Sequence, residues 1–169
     1  MNKITRILSI FVLIVGAAFA STQQLQTVTV DAPLVLTTTG PETGTIAAGA
    51  TYTRTTYMAT ASNDDTYLVA VAQYPFQLAN TTLDDFTKGF VGALGDNVKV
   101  LSSIDVTVSG LPAKSTAVEL IKNGRAIRFF IVVTYRGNTG YIIAFGTWMD
   151  TQGTDPAVVK QYFQSISIQ

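Results

Sequence analysis

The sequence contains neither cysteine nor histidine. Lack of cysteine excludes disulfides, thiolate catalysis and a lipid-modified N-terminal cysteine, so stability has to come from an apolar core. Lack of histidine removes Ser-His-Asp and Cys-His catalysis and nearly all transition-metal sites. Charge is scarce as well, with 11 basic and 11 acidic residues making up 13% of the chain. A nucleic-acid partner requires a basic surplus to neutralise phosphates, and the sequence offers none. No metal, no cofactor and no nucleic acid are therefore expected.

Long apolar runs are also rare, and the notable one is at the N-terminus. Lys3 and Arg6 precede an apolar or small-residue run from Ile7 to Ala18, and Ala18-Phe19-Ala20 has the small-x-small spacing of a cleavage site. The run is about a dozen residues, whereas a bilayer-spanning helix needs about twenty. We read residues 1–20 as a cleavable signal peptide cut between Ala20 and Ser21. The expected location is periplasmic or secreted, with no stable membrane span after cleavage. Loss of Lys3 and Arg6 leaves the exported part slightly acidic. Residues 21–169 are the size of one domain.

Within that domain, residues 21–50 are rich in Thr, Gly and Ala and read as a loosely ordered lead-in with edge strands, at Thr27–Val30 and around Leu34–Leu36. Thr51–Ala61 and Thr66–Tyr74 are β-branched and aromatic runs joined by Ser62-Asn63-Asp64-Asp65, a hairpin pattern. From Thr82 the period becomes helical, with Leu83, Phe86, Phe90, Val91 and Leu94 on one face. Thr82 with Asp85 forms a capping pattern, and Gly95 is a stop. Val98, Val100, Ile104, Val106 and Val108 then alternate with polar residues as in a strand with one buried face. Asn123-Gly124 is a two-residue hairpin turn, which sets Lys122 opposite Arg125 and makes Glu119 and Arg128 a structural pair of opposite charge. Phe129–Val133, apolar throughout, reads as a central strand. Tyr141–Trp148 reads as a further strand, and Asp155-Pro156 as the start of a short helix. Strands joined by hairpins, with two helices, give an α+β domain: an antiparallel sheet of about six to seven strands with helices packed on it.

Residues arranged for chemistry are few. Asp64, Asp65, Asp84 and Asp85 could in principle supply the carboxylate pair of a hydrolase, but they fall in a turn and a helix first turn, where such residues are ordinary. Asn63-Asp64-Asp65 and Asp150–Asp155 lack calcium-loop spacing. Gly89, Gly92 and Gly95 lie inside and at the end of a helix instead of before one, so they do not form a phosphate loop; they read as close helix-to-sheet packing. Arg125, Arg128 and Arg136 read as structural or solvated charges. Tyr135, Tyr141 and Trp148, around the last hairpin, are the candidate binding cluster.

The strings Ala72-Gln73-Tyr74-Pro75, Ser109-Gly110-Leu111-Pro112-Ala113, Asn123-Gly124 with Arg128, Gly140-Tyr141-Ile142-Ile143 and Phe163-Gln164-Ser165-Ile166 resemble the PsbP-like family over about Thr51 to Ile168. That resemblance implies an α/β/α sandwich and accessory or binding roles without catalytic residues. The metal-binding histidines of the family's photosynthetic branch have no counterpart in this chain. The expected function is thus an exported non-enzymatic protein acting by contact with an unknown protein or envelope component. The alternatives are a carrier of a small apolar ligand, in a pocket lined by Phe86, Phe90 and Phe129, and a carboxylate-dependent hydrolase.

Overall fold

Hairpins generate almost the whole architecture. The computed structural model describes residues 21–46, 49–80 and 82–169, so the signal peptide reading falls outside the described residues. The elements are β1 (Ser21–Leu25), β2 (Val28–Ala32), β3 (Thr37–Thr45), β4 (Thr51–Thr60), β5 (Thr66–Gln73), α1 (Leu83–Ala93), β6 (Val98–Val108), β7 (Leu111–Lys122), β8 (Arg125–Arg136), β9 (Thr139–Trp148), α2 (Pro156–Gln164) and β10 (Ser167–Ile168). Their strands make a seven-stranded sheet in the order β3-β4-β5-β9-β8-β7-β6 and a three-stranded sheet in the order β1-β2-β10. All pairing is antiparallel.

The expected α+β class is corrected by this arrangement. Among the described residues the chain is mostly β, with ten strands in two antiparallel sheets and α-helices of only 11 and 9 residues. The difference arises in residues 21–46, which hold more strand than the edge strands expected of a lead-in. Threonine-rich and extended, they form β1, β2 and β3, and the C-terminal β10 joins β2 to complete a second sheet. Leu34–Leu36 is not a strand. Gln23 takes its backbone groups, donating Nε2 to the Leu34 carbonyl at 2.7 Å and accepting from the Leu36 N–H at 2.7 Å.

The middle strand of the large sheet is β9, not the segment Phe129–Val133 in β8, where Phe130 is 38% exposed. On β9, Gly140 through Gly146 are all buried. Tyr141, Ile143 and Phe145 enter the core shared with the small sheet and α2, alongside Tyr67, Val69, Val71, Val28, Val30 and Tyr162. Ile142 and Ala144 enter a second core on the opposite face, with Ala70, Val118, Ile131 and Val133 under α1. In the first core Tyr162 stands edge-on to Tyr67 at 5.2 Å and donates its hydroxyl to the Leu68 carbonyl at 2.9 Å. Burial pushes its phenol pKa far above the usual value.

Both edge strands of the large sheet are irregular. β3 carries a bulge between Thr39 and Glu42, where the Gly40–Pro41 peptide is cis. β6 carries one between Val100 and Ser102. That extra residue reverses the parity of β6, so the alternation read from the sequence does not produce one buried face: Val100 and Ile104 are 52% and 59% exposed.

A buried carboxylate joins the β4–β5 turn to the segment before α2. Asp65 is fully buried, and its Oδ2 accepts from the Thr154 N–H at 2.6 Å, the Thr154 hydroxyl at 2.6 Å and Asn63 Nδ2 at 3.0 Å. Because Thr154 directly precedes Asp155, the N-cap of α2, this contact sets where that helix begins. Asp65→Ala leaves the Thr154 amide without its acceptor and is expected to cost about 3 kcal/mol. The exposed Asp64→Asn, at a left-handed φ that Asn tolerates, should stay within about 0.5 kcal/mol. Urea unfolding of both variants checks the contrast.

Candidate functional site

Two loops and a helix enclose a cleft of about 360 Å³ on the α1 face of the sheet, between α1 and strands β3–β5. Its walls are mainly aromatic. Tyr52 on β4 stacks on Tyr74 with ring centroids 5.2 Å apart, and Tyr74 lies 5.8 Å from Phe76 and 6.2 Å, edge-on, from Phe86 of α1. Phe90 completes the helix side.

Each wall has a local cause. The segment after β5 is held by the β8–β9 turn: Tyr74 N–H donates to the Asn138 carbonyl at 2.9 Å, Asn138 Nδ2 to the Tyr74 carbonyl at 3.1 Å, and Leu78 N–H to the Gly137 carbonyl at 2.8 Å. Helix α1 starts at Thr82, whose hydroxyl accepts from the Asp85 N–H at 3.1 Å. Its first turn is anchored by Lys114 of β7, which bridges Asp84 and Asp105 at 2.7 Å each. The Lys114 ammonium hydrogen-bonded to Asp84 holds that carboxyl below its ordinary range.

Glycines make the room. A Cβ on Gly44 would overlap the Tyr52 ring, and one on Gly140 would come within 2.5 Å of Phe86 and 3.3 Å of Tyr74. These glycines let aromatic rings lie flat over backbone. Gly89 is different: a Cβ there would meet nothing within 4 Å, and the same holds for Gly92 and Gly95. The expectation of close helix packing is therefore corrected. Gly89 opens toward the aromatic cleft, while Gly92 and Gly95 open toward a second hollow of about 560 Å³ between α1 and β6–β7.

The polar groups of the cleft are few. Arg54 on β4 donates Nη2 to Glu42 of β3 at 2.8 Å. Its Nε is buried without a hydrogen-bond partner among the described residues. Burial, reinforced by the Tyr52 phenol, pushes the Tyr74 hydroxyl pKa up, while Arg54 draws it down.

On the opposite face, the small sheet leaves the β6–β8 side of the large sheet uncovered. A groove of about 830 Å³ runs there beside α2, lined by Val106, Val108, Phe130, Phe145, Val159 and Phe163. The pairing register places Ile104, Ile121 and Phe130 on this same face, and they are 59%, 58% and 38% exposed.

Tyr135, Tyr141 and Trp148 do not form a cluster. Tyr141 is buried, its hydroxyl 3.1 Å from that of Thr27, and Tyr135, opposite Gly140, lies at the other end of the β8–β9 hairpin from Trp148, opposite Ile127. Trp148 carries the Arg125 guanidinium 4.2 Å above its ring, and Arg125 also grips Asp150 with two 2.8 Å bonds. Glu119 faces Arg128 across β7 and β8, paired at 3.0 Å. Among the carboxylates, Asp65 is tied to Thr154 and Asn63, Asp84 to Lys114 and Asp85 to Thr82, and they are not brought together as a pair. Of the expected pocket residues, Phe86 and Phe90 line the cleft, whereas Phe129 lies against Gly146. Arg54 escaped the sequence reading, which favoured the aromatics of the last hairpin over Tyr52 and Tyr74. The signal available was a lone arginine in a strand rich in threonine and tyrosine.

No family model matches the chain, and no curated protein matches it by sequence. Among solved structures, the chain is similar to a protein of unknown function from Pseudomonas aeruginosa, with 12% identity and a TM-score of 0.48 over 89% of this chain and 98% of that one. A likeness at that score carries no argument about function.

Interior helix glycines facing open space are destabilising by about 1 kcal/mol each relative to alanine. Gly89→Ala and Gly92→Ala should each raise stability by about that amount in urea unfolding. Gly140→Ala should lower it by about 2 kcal/mol through overpacking against Phe86. A loss of stability in Gly89→Ala would show that the cleft does not open at that position.

Proposed function

We propose that this chain is an exported, non-enzymatic binding protein that holds a small ligand with a mainly apolar body in the cleft between β3–β5 and α1. The observation that carries this reading is Gly89, a costly residue within α1 that faces an open space walled by aromatic rings. Its volume lies within the range of small-molecule pockets, and a mainly apolar wall with a few converging polar groups is their usual construction. Export is supported by the order of charged, apolar and small residues in Met1–Ala20. A binding role without catalysis is supported by the missing histidine and cysteine, and by the resemblance to the PsbP-like family. Among the described residues no helix is long and apolar enough to cross a membrane.

A second reading is contact with another protein through the uncovered part of the sheet beside α2. Ile104, Ile121 and Phe130, exposed together on that face, favour it.

One measurement separates the two readings. Native mass spectrometry of protein recovered from its own host should show a chain that begins at Ser21 and carries a small-molecule adduct, which Gly89→Phe removes. The bare chain mass alone would sink the carrier reading and leave the sheet face. A chain retaining Met1–Ala20 would contradict cleavage.

A further inference from the structure

We infer that the ligand of the aromatic cleft is a planar acid, its ring system lying against Tyr52 and Tyr74 and its carboxylate taken by Arg54. The inference rests on the cleft being a ligand site and adds the chemical class.

The Arg54 guanidinium has five N–H donors in a fixed plane, and Nε–H and Nη2 lie along one edge, the edge that grips a carboxylate with two parallel bonds. In this structure Glu42 uses half of that edge. It accepts from Nη2 at 2.8 Å, and the neighbouring Nε is buried with no partner among the described residues. A buried donor without an acceptor is unfavourable and calls for explanation.

Glu42 is a poor permanent occupant. The Glu42 and Arg54 side chains are 56% and 40% exposed, and ion pairs of that kind are weak. A ligand carboxylate arriving from the cleft can exchange for Glu42 and take Nη2 and Nε together. Tyr52 and Tyr74, stacked on one another, line the cleft together with Arg54, and their phenols add donors to it. The acidic residue of the lining, Asp85, belongs to the opposite wall and is occupied: its carboxylate accepts from the Thr82 hydroxyl at 2.7 Å. The converging polar groups are thus mostly donors, which suits an acceptor-rich ligand. Stacked tyrosines with Phe76 and Phe86 beside them suit a flat one.

The test uses 2-naphthoate and 2-naphthamide, which share shape and differ in charge, titrated into protein recovered in its naturally processed form and followed by tyrosine fluorescence or calorimetry. The wild-type protein should bind the acid about tenfold more tightly than the amide, the ratio expected from one charge-assisted contact of about 1.4 kcal/mol. Arg54→Met should bring that ratio close to one, and Glu42→Gln should tighten the acid alone, because it removes the competitor without touching the cleft. If Arg54→Met fails to fold, the wild-type ratio and the Glu42→Gln response still decide. Equal affinity for acid and amide in the wild-type protein would overturn the acid inference and leave the cleft as a site for neutral ligands. Failure of both probes to bind would count against the cleft reading as well.

Discussion

Strand β9 is the constraint on which the molecule depends, because its alternate residues are committed to two different cores. Tyr141, Ile143 and Phe145 serve the core under the small sheet, and Ile142 and Ala144 serve the one under α1. A one-residue slip would exchange the two sets, putting tyrosine and phenylalanine where alanine now fits beneath a helix. The flanking glycines narrow the choice further. Gly140 leaves room for Phe86 and Gly146 for Phe129, so the rings of the α1 face are seated only when β9 is in register.

What was legible in the sequence was local. Asn123-Gly124 fixed the β7–β8 register, since both residues adopt positive φ, as that turn requires. Thr82 and the helical period located α1. What was not legible depended on distant partners. The small sheet needs Ile168 beside Val28, a pairing that no short window contains, and without it residues 21–50 look like a lead-in and the fold looks richer in helix than it is. The bulge at Leu101 left a mark in the sequence, since Leu101 and Ser102 break the apolar alternation of β6, but such a break does not by itself say that a residue is looped out. Tyr141 was misjudged for a related reason: an aromatic next to a turn looks exposed until the sheet that covers it is known.

The site follows the same division. Phe86 and Phe90 were recognisable from the helical period, but the helix glycines were assigned to packing, since spacing alone does not reveal whether a missing side chain faces a neighbour or a hollow. Only the placement of α1, leashed at its first turn by Lys114 to Asp84 and Asp105, decides that Gly89 looks into the aromatic cleft. The two faces of the large sheet are consequently unlike. One is recessed between α1 and the sheet and holds Arg54; the other, beside α2, is broad, and Thr107, Ser115, Lys160 and Gln164 share its lining with the apolar side chains.

The irregular margins of the large sheet bear on how the molecule behaves at high concentration. A straight outer strand is a template onto which another chain can add, and a sheet with two such margins can polymerise in both directions. Here each margin is broken. In β3 Pro41 has no amide to offer, and in β6 the looped-out Leu101 throws the line of free amides and carbonyls out of step. A would-be eighth strand finds neither margin continuous along its whole length, which disfavours strand addition to this sheet.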